Sequence, residues 1–262
     1  MRAARVLAVV RRHGYEARRN VDRVTDAFYW PIVDVLMWGF FSLSLAVFTH
    51  RPLTLGHTLI GAAIVWGVFR ATQRDIASGF LTELWARNLA NLLTTPLGLG
   101  EYLAGLLTIT CAKAVAGTAL AAFVAWAFYG LDFAARLAGL LPYILAVFLF
   151  AVAIGIMVAA LVCRFGGRVQ SLAWNLTGLL MPVSCVFYPA GVLPPALRAV
   201  ALALPTTHAF DGVRAILAGS AAPAQALPVA LWLDLGYGAA GLALFATAFR
   251  SARAAGTLVR AE

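Results

Sequence analysis

Three ionisable residues lie inside long apolar stretches of this sequence: Asp34, Lys113 and Asp234. Charged groups are costly to place in apolar surroundings, so such residues are functional candidates by default. The chemistry open to them is ion pairing. A lysine side chain can extend several ångström toward a partner, which makes an Asp34–Lys113 pair geometrically possible; alternatively, each side chain reaches water or backbone separately. Asp234 could form a structural tie with Arg214 or Arg198.

No arrangement typical of a catalytic site occurs in the sequence. The four histidines are scattered, and no Ser/His/Asp set or carboxylate pair converges. A phosphate-binding loop, GxxxxGKS or GxxxxGKT, requires a lysine, but Lys113 is the only lysine and is flanked by Ala112 and Ala114. The three cysteines share no metal-ligand spacing. The chain is therefore predicted not to be an enzyme and to bind no metal or cofactor itself.

The composition predicts an all-α membrane protein. Of the 262 residues, 62% are hydrophobic and only 12% are charged, which excludes an ordinary soluble domain. The formal net charge of +9 would suit a nucleic-acid partner. However, most of the arginines lie between apolar runs, so the expected contact is the lipid bilayer and no nucleic acid is predicted.

Six apolar runs have the length and composition of membrane-spanning helices. The predicted spans cover residues 28–48, 55–71, 102–129, 137–163, 169–192 and 227–249. Pro182 and Pro189 interrupt the fifth run, which is therefore predicted to be a kinked span.

Three further helical segments are predicted outside the spans. Residues 1–26 are basic and partly amphipathic, which favours an interfacial helix over a disordered tail. Residues 79–96 form an amphipathic helix that Pro96 ends. Residues 193–219 contain two short helical pieces separated by Pro205. Each piece is too short to cross the hydrocarbon, so a re-entrant or interfacial hairpin is expected.

The distribution of basic residues predicts the orientation. With six spans, the N-terminal segment, the second and fourth loops and the C-terminal tail face one side and carry 15 arginines, against 4 on the other side. Because cytoplasmic loops are enriched in Lys and Arg, both termini are expected in the cytoplasm, together with the 79–96 helix. The 193–219 hairpin is expected outside.

The hairpin also carries motifs of a known family. The sequence Leu193-Pro194, then Pro205-Thr206-Thr207-His208, and Arg214 after five more residues resemble the signature of ABC-2 type transporter permeases. Upstream, Ser184 and Val186 agree with that signature, whereas Val183 departs from it.

The region before the third span is similar to the coupling region of the same family. The matching residues are Glu83, the pair Leu92-Leu93, Pro96 and Glu101. Trp85 and Leu89 are four residues apart and could anchor this helix in a partner, with Glu83 and Arg87 as flanking polar contacts. The alternative is that the helix only lies on the inner leaflet.

The resemblance implies a six-span permease in a bacterial cytoplasmic membrane. It implies a homodimer of permeases that forms the substrate pathway near the first, second and fifth spans, and an exporter driven by ATP and Mg²⁺ on separate P-loop ATP-binding cassette subunits. The polar residues of the fifth span are then pathway candidates: Asn175, Thr177, Ser184 and Tyr188. Lipid, glycan, drug, peptide and ion remain open as cargo. The alternative function is a gradient-driven secondary transporter or channel, which needs no docking helix.

Overall fold

The long apolar runs of the sequence fold into helices that pack side by side. A computed structural model describes residues 3–19, 21–49, 54–85 and 99–254, and no strand occurs in these ranges. The helices are α1 (Ala3–Arg19), α2 (Val21–Thr49), α3 (Thr54–Trp85), α4 (Leu99–Tyr129), α5 (Leu137–Phe165), α6 (Gln170–Leu180), α7 (Pro195–Leu202), α8 (Pro205–Leu217) and α9 (Ala226–Ala254). Short 3-10 turns occupy Ala134–Arg136, Gly166–Val169 and Ala190–Val192.

Five helices of the described ranges are long and apolar enough to cross a bilayer. The candidate spans are Phe28–Phe48, Leu55–Thr82, Gly100–Tyr129, Ala134–Phe165 and Ala226–Ser251. The prediction of an all-α chain with long apolar helices is therefore confirmed. Within the predicted 1–26 segment the structure describes α1 from Ala3 to Arg19 and the start of α2 from Val21, and residues 1, 2 and 20 lie outside the described ranges.

The predicted fifth span is not a continuous helix. Helix α6 has 11 residues and ends at Leu180, so its length is about 16 Å, roughly half of the hydrocarbon thickness. The helix stops because Pro182 has no N–H to donate, and the backbone tightens into a turn in which Val183 N donates to Leu180 O, three residues back, at 3.2 Å. Cys185 then adopts a positive φ of 52°, which no helix contains.

The segment between α5 and α9 nevertheless carries the chain from one end of the bundle to the other. Tyr237 of α9 packs edge-on against Phe150 of α5, with ring centroids 5.0 Å apart. Further along both helices, Gly241 lies against the carbonyl of Ala153. Helices α5 and α9 therefore run in the same direction. Residues 166–225 must return the chain to the starting end of α5.

The N-terminus lies at the same end of the bundle as the end of α9. Helix α3 runs antiparallel to α4, because Asp75 meets Lys113 and His57 meets the carbonyl of Tyr129. Helix α1 packs on the start of α4, where Arg5 pairs with Glu101 at 3.3 Å. We call this end of the bundle, which also contains the ends of α3, α5 and α9, the α1 end.

The first part of the predicted 79–96 helix belongs to α3. Phe80 and Leu81 are only 2% and 0% exposed, and Phe80 packs edge-on against Tyr102 of α4 and Phe245 of α9. These contacts stabilise α3 as a helix through Gly79. The prediction of a separate amphipathic helix that begins at Gly79 is therefore wrong. Residues 86–96 of that prediction lie outside the described ranges.

The predicted hairpin contains two short helices, α7 and α8, close to the predicted bounds. Helix α8 is embedded in the bundle, and its Phe210 and Val213 are fully buried. It packs near the starts of α3 and α5, since Gly61 lies against Leu217 and Gly212 against the ring of Tyr143. The hairpin therefore lies at the end of the bundle opposite to the α1 end.

Candidate functional site: a charged cavity among α2, α3 and α4

Asp34 is paired with Arg70 and not with Lys113. The Arg70 guanidinium donates two hydrogen bonds to the Asp34 carboxylate, one of them at 3.2 Å. The side chain of Asp34 is only 16% exposed and that of Arg70 22%. Arg70 also lies over the ring of Trp30, 5.5 Å from its centroid. The predicted Asp34–Lys113 pair is wrong because an arginine one helix away offers the two-pronged geometry that a carboxylate prefers.

Lys113 has a different partner, Asp75 of α3. The Nζ–Oδ2 distance is 3.0 Å, and the side chains are 30% and 27% exposed. This pair is therefore less buried than the pair of Asp34 and Arg70. Together the two pairs tie α3 to α2 on one side and to α4 on the other.

Both pairs line one cavity of about 50 Å³ between α2, α3 and α4, which is enough for very few water molecules. Arg74 also lines it and lies over the ring of Trp174 in α6, 5.7 Å from the centroid. The cavity lies near the middle of α3 and α4, since Arg70 and Lys113 are close to the midpoints of these helices. Its charges can bind and orient an ionic group.

Arg70, Arg74 and Asp75 were not predicted as site residues. Arg70 is at the end of the predicted second span, residues 55–71, and was counted with Arg74 in the loop that follows, because charged residues end an apolar run. The available signal was their spacing: Arg70 and Arg74 are one helical turn apart, and Gln73 and Ala77 continue the buried face of the same helix.

The pathway candidates of the predicted fifth span have different surroundings. Thr177 is buried and donates to Oε1 of Gln73 in α3 at 2.8 Å. Asn175 is exposed. Ser184 is fully buried, and its hydroxyl has no hydrogen-bond partner among the described residues. The Tyr188 hydroxyl donates to the carbonyl of Pro182 at 2.6 Å. The structure therefore brings only Thr177 next to α3 through a side-chain hydrogen bond.

Arg214 fixes the non-helical backbone after α6. Its guanidinium donates to the carbonyls of Cys185 and Val186, the latter at 3.3 Å, and also to the carboxylate of Asp211. Burial lowers the pKa of Arg214, and the nearby Asp211 opposes that shift. Arg214 therefore ties the hairpin to the backbone that follows α6.

The other signature residues shape the ends of the short helices. Pro194 and Leu204 are the N-caps of α7 and α8, and Pro205 is buried at the first turn of α8, a position at which proline is favoured. The ring of His208 is 2.9 Å from the carbonyl of Leu202 and ties the two helices together. Leu193 packs partly buried beside Cys185.

Asp234 does not meet Arg214 or Arg198. It is 6% exposed, and neither carboxylate oxygen has a hydrogen-bond partner among the described residues. The predicted tie fails because Arg214 is already engaged by Asp211 and by two carbonyls. Arg198 is exposed on α7.

The predicted coupling residues are only partly within the described ranges. Glu83 and Trp85 belong to the last turn of α3, whereas Arg87 and Leu89 lie outside those ranges. No group of three or more His, Cys, Asp and Glu side chains that could hold a metal occurs in the part of the chain that the structure describes.

The sequence matches the family model for the ABC-2 type transporter over residues 17–218. The match covers most of the chain, including the charged cavity and the hairpin. No match was found among curated proteins.

Proposed function

Because this chain belongs to the ABC-2 type transporter family, we propose that it is the permease subunit of an ATP-driven exporter. The family match is the observation that carries this proposal. It identifies a transporter permease, a multi-pass membrane component and not an ATPase. The five long apolar helices are consistent with that assignment. Export as the direction of transport follows from the resemblance to the family.

We propose that ATP and Mg²⁺ bind to a separate P-loop subunit. Permeases of this family normally pair with an ATP-binding cassette subunit. The single lysine of this chain, Lys113, is flanked by alanines and is engaged with Asp75. The energy of ATP hydrolysis must therefore be transmitted to the bundle through contact with the ATP-binding subunit.

Helix α3 is the proposed mechanical link. It has 32 residues, which makes it about 48 Å long, against roughly 30 Å of hydrocarbon. We place the part of α3 that exceeds the hydrocarbon thickness at the α1 end, where the helix carries Glu83 and Trp85. Arg70 and Asp75 lie further back on the same helix, so movement of its tip would shift both ion pairs at once.

In the proposed orientation the α1 end faces the cytoplasm. Without Arg70 and Arg74, which lie in α3, the predicted distribution of arginines is still 13 against 4, and this excess supports the cytoplasmic side for both termini and for residues 79–96. The hairpin of α7 and α8 then enters the membrane from outside as a re-entrant element, and the interrupted segment with α6 makes the sixth crossing. The helix α1 would lie in the headgroup plane of a bacterial cytoplasmic membrane.

Two copies are proposed to form the pathway between them. Helix α2 buries only 17% of its apolar window within one copy, so most of that surface remains for lipid or a second copy. The pathway would lie near α2, α3 and the interrupted segment, which carries Asn175, Thr177, Ser184 and Tyr188.

The experiment separates an ATP-driven permease from a gradient-driven carrier. A tagged chain is isolated in mild detergent from its own membrane and photolabelled with 8-azido-ATP. We expect Mg-ATP hydrolysis in the isolated complex and label on a separate polypeptide. The chain alone, in liposomes with an imposed proton or sodium gradient, should pass neither ion. Label on this chain, or ion flux through the chain alone, would overturn the proposal.

A further inference from the structure

An apolar groove runs along the outer surface of the bundle between α4 and α5. Its volume is about 720 Å³, which lies within the range of pockets for drug-sized ligands. Phe123 and Trp126 of α4 form one wall, and Leu141 and Leu145 of α5 form the other. All four side chains are at least half exposed, so the groove is open to a ligand along its length.

The groove is long because small residues of α4 lie along one face of the helix. Ala119 and Ala122 line it, and their side chains leave space that larger ones would fill. From Cys111 to Trp126 the lining residues extend over about 22 Å at the helical rise. Phe133, which is 2% exposed, lines the end that follows α4. This shape suits a ligand with an elongated apolar chain.

Asp132 is the one charged residue among the described residues that line the groove. Its carboxylate accepts a hydrogen bond from the backbone N–H of Ala135 at 2.9 Å. Arg136 donates to the backbone carbonyl of Asp132 at 3.1 Å, and within the described ranges the Asp132 carboxylate forms no ion pair. The negative charge of Asp132 therefore belongs to the lining of the groove, whereas the charge of Arg136 lies outside it.

Trp126 lies at the same end of the groove as Asp132. Its carbonyl accepts the N–H of Gly130 at 3.1 Å, which ends α4 and begins the turn that carries Asp132. The Trp126 side chain is 60% exposed, and its ring centroid is 6.1 Å from that of Phe123. Tryptophan is the best aromatic partner for a cation, and aromatic faces recognise quaternary ammonium groups. This end of the groove therefore favours a cationic head group.

The middle of α4 does not offer a competing site for an anion. Lys113 precedes the lining residue Ala114 but does not itself line the groove. Its ammonium is 3.0 Å from the carboxylate of Asp75, so its charge is already compensated. An anionic head group would in addition meet a like charge at Asp132, which is unfavourable. The charges around the groove therefore select a cation.

We propose that the groove binds an amphipathic organic cation, with the ammonium group beside Asp132 and Trp126 and the apolar chain along α4 toward Cys111. An exposed carboxylate contributes little affinity, so the apolar walls supply most of the binding and Asp132 supplies the selectivity for charge. The inference rests on the proposed membrane placement of the chain and not on its coupling to ATP. A failure of cation binding would therefore leave the ATPase experiment unaffected.

The test uses the full chain in phosphatidylcholine nanodiscs and a dodecyltrimethylammonium probe with a diazirine on its alkyl chain, below its micellar concentration. After irradiation, adducts are located by mass spectrometry. We expect adducts concentrated on residues 111–126 and 137–148. Unlabelled dodecyltrimethylammonium should compete more strongly than dodecyl sulfate or dodecyl maltoside, which have the same chain with a negative or a neutral head group.

Two variants and a matched control separate the roles of charge and shape. Asp132→Asn keeps an oxygen for the N–H of Ala135 but removes the charge. It should weaken competition by the cation about fivefold, the factor that corresponds to roughly 1 kcal/mol, and leave competition by dodecyl maltoside unchanged. Ala119→Trp fills the groove and should reduce the adducts about tenfold. Ala116→Trp places the same side chain on an exposed position of α4 outside the groove and should leave the adducts unchanged.

Equal competition by the three amphiphiles in the unmodified chain, or an unchanged preference in Asp132→Asn, would overturn the proposal. So would equal loss of adducts in both tryptophan variants, or adducts spread evenly over α2, α4 and α9. Occupation of the groove by a second copy would also overturn it. Cys111 is exposed and lines the groove, so that arrangement would give cross-links from Cys111 between copies and few adducts.

Discussion

Asp34 of α2 accepts two hydrogen bonds from the guanidinium of Arg70 in α3, one of them at 3.2 Å. Each residue alone would be an uncompensated charge in an apolar bundle. Because the pair joins the first two long helices, its integrity should affect both the stability of the bundle and any relative movement of α2 and α3.

Removal of one member of this pair should destabilise the protein more than removal of both. Asp34→Ala leaves Arg70 with an unpaired charge, which costs about 3 kcal/mol for a buried pair. The double variant Asp34→Leu/Arg70→Met should recover most of that loss. Unfolding of purified protein in mixed micelles by increasing SDS measures both effects.

The matched comparison is Lys113→Ala. Lys113 and Asp75 are more exposed, so this substitution should cost at most about 1 kcal/mol. A double-mutant cycle between Asp34 and Lys113 should show additive effects within roughly 0.5 kcal/mol. A coupling energy as large as that of Asp34 with Arg70 would contradict the observed pairing.

Arg214→Lys should loosen the backbone after α6. An ammonium group cannot serve two carbonyls and a carboxylate with the fixed geometry of a guanidinium. Hydrogen bonds to charged groups contribute about 1.5–3 kcal/mol each, so amides near Cys185 and Val186 should exchange markedly faster. Hydrogen exchange with mass spectrometry measures this. Arg198→Lys, on the exposed face of α7, is the control, and similar exchange in both variants would argue against the role of Arg214.

Gly212→Ala should separate α8 from α5. A Cβ atom at this position would lie 2.2 Å from the Tyr143 ring, and Tyr143 is buried. Overpacking of this kind costs about 1–3 kcal/mol, so the midpoint of SDS unfolding should fall. Gly236→Ala, in α9 with no atom within 4 Å of the added Cβ, should be neutral or stabilising. An unchanged midpoint for Gly212→Ala would show that the helices can move apart freely.

The tip of α3 should transmit work from the proposed ATPase. Glu83→Ala/Trp85→Ala/Arg87→Ala removes an anchor and two polar contacts, and loss of such an anchor can cost more than 2 kcal/mol of binding. The variant should fold and insert normally but lose the ATPase partner during purification and lose transport. Normal complex formation with normal ATP hydrolysis and transport would rule out docking at this position.

The sequence was sufficient to predict the elements whose pattern is local. Long apolar runs fix α2, α4, α5 and α9, because length and hydropathy alone decide whether a helix can span a bilayer. The two short helices of the hairpin were also predictable, since Pro194 and Pro205 mark their starts.

Features that depend on tertiary contacts were not predictable in the same way. In the sequence, the charges of Arg70 and Asp75 mark the end of an apolar run. Helix α3 nevertheless continues past them, because Asp34 of α2 and Lys113 of α4 neutralise these charges. Conversely, the run from 169 to 192 is apolar enough for a span, but Arg214 supplies hydrogen bonds to carbonyls that a helix would have used internally. Both differences in helix extent arise from charged side chains whose partners are distant in sequence.

The parallel packing of α5 and α9 has a consequence for biosynthesis. The ribosome delivers α5 first and α9 only after the whole interrupted segment has been made, since chains fold from the N-terminus during synthesis. Until then, the surface of α5 around Phe150 and Ala153 faces lipid or the insertion machinery. A nascent chain released before Ala226 would therefore lack the last wall of its core and should be a substrate for membrane quality-control proteases.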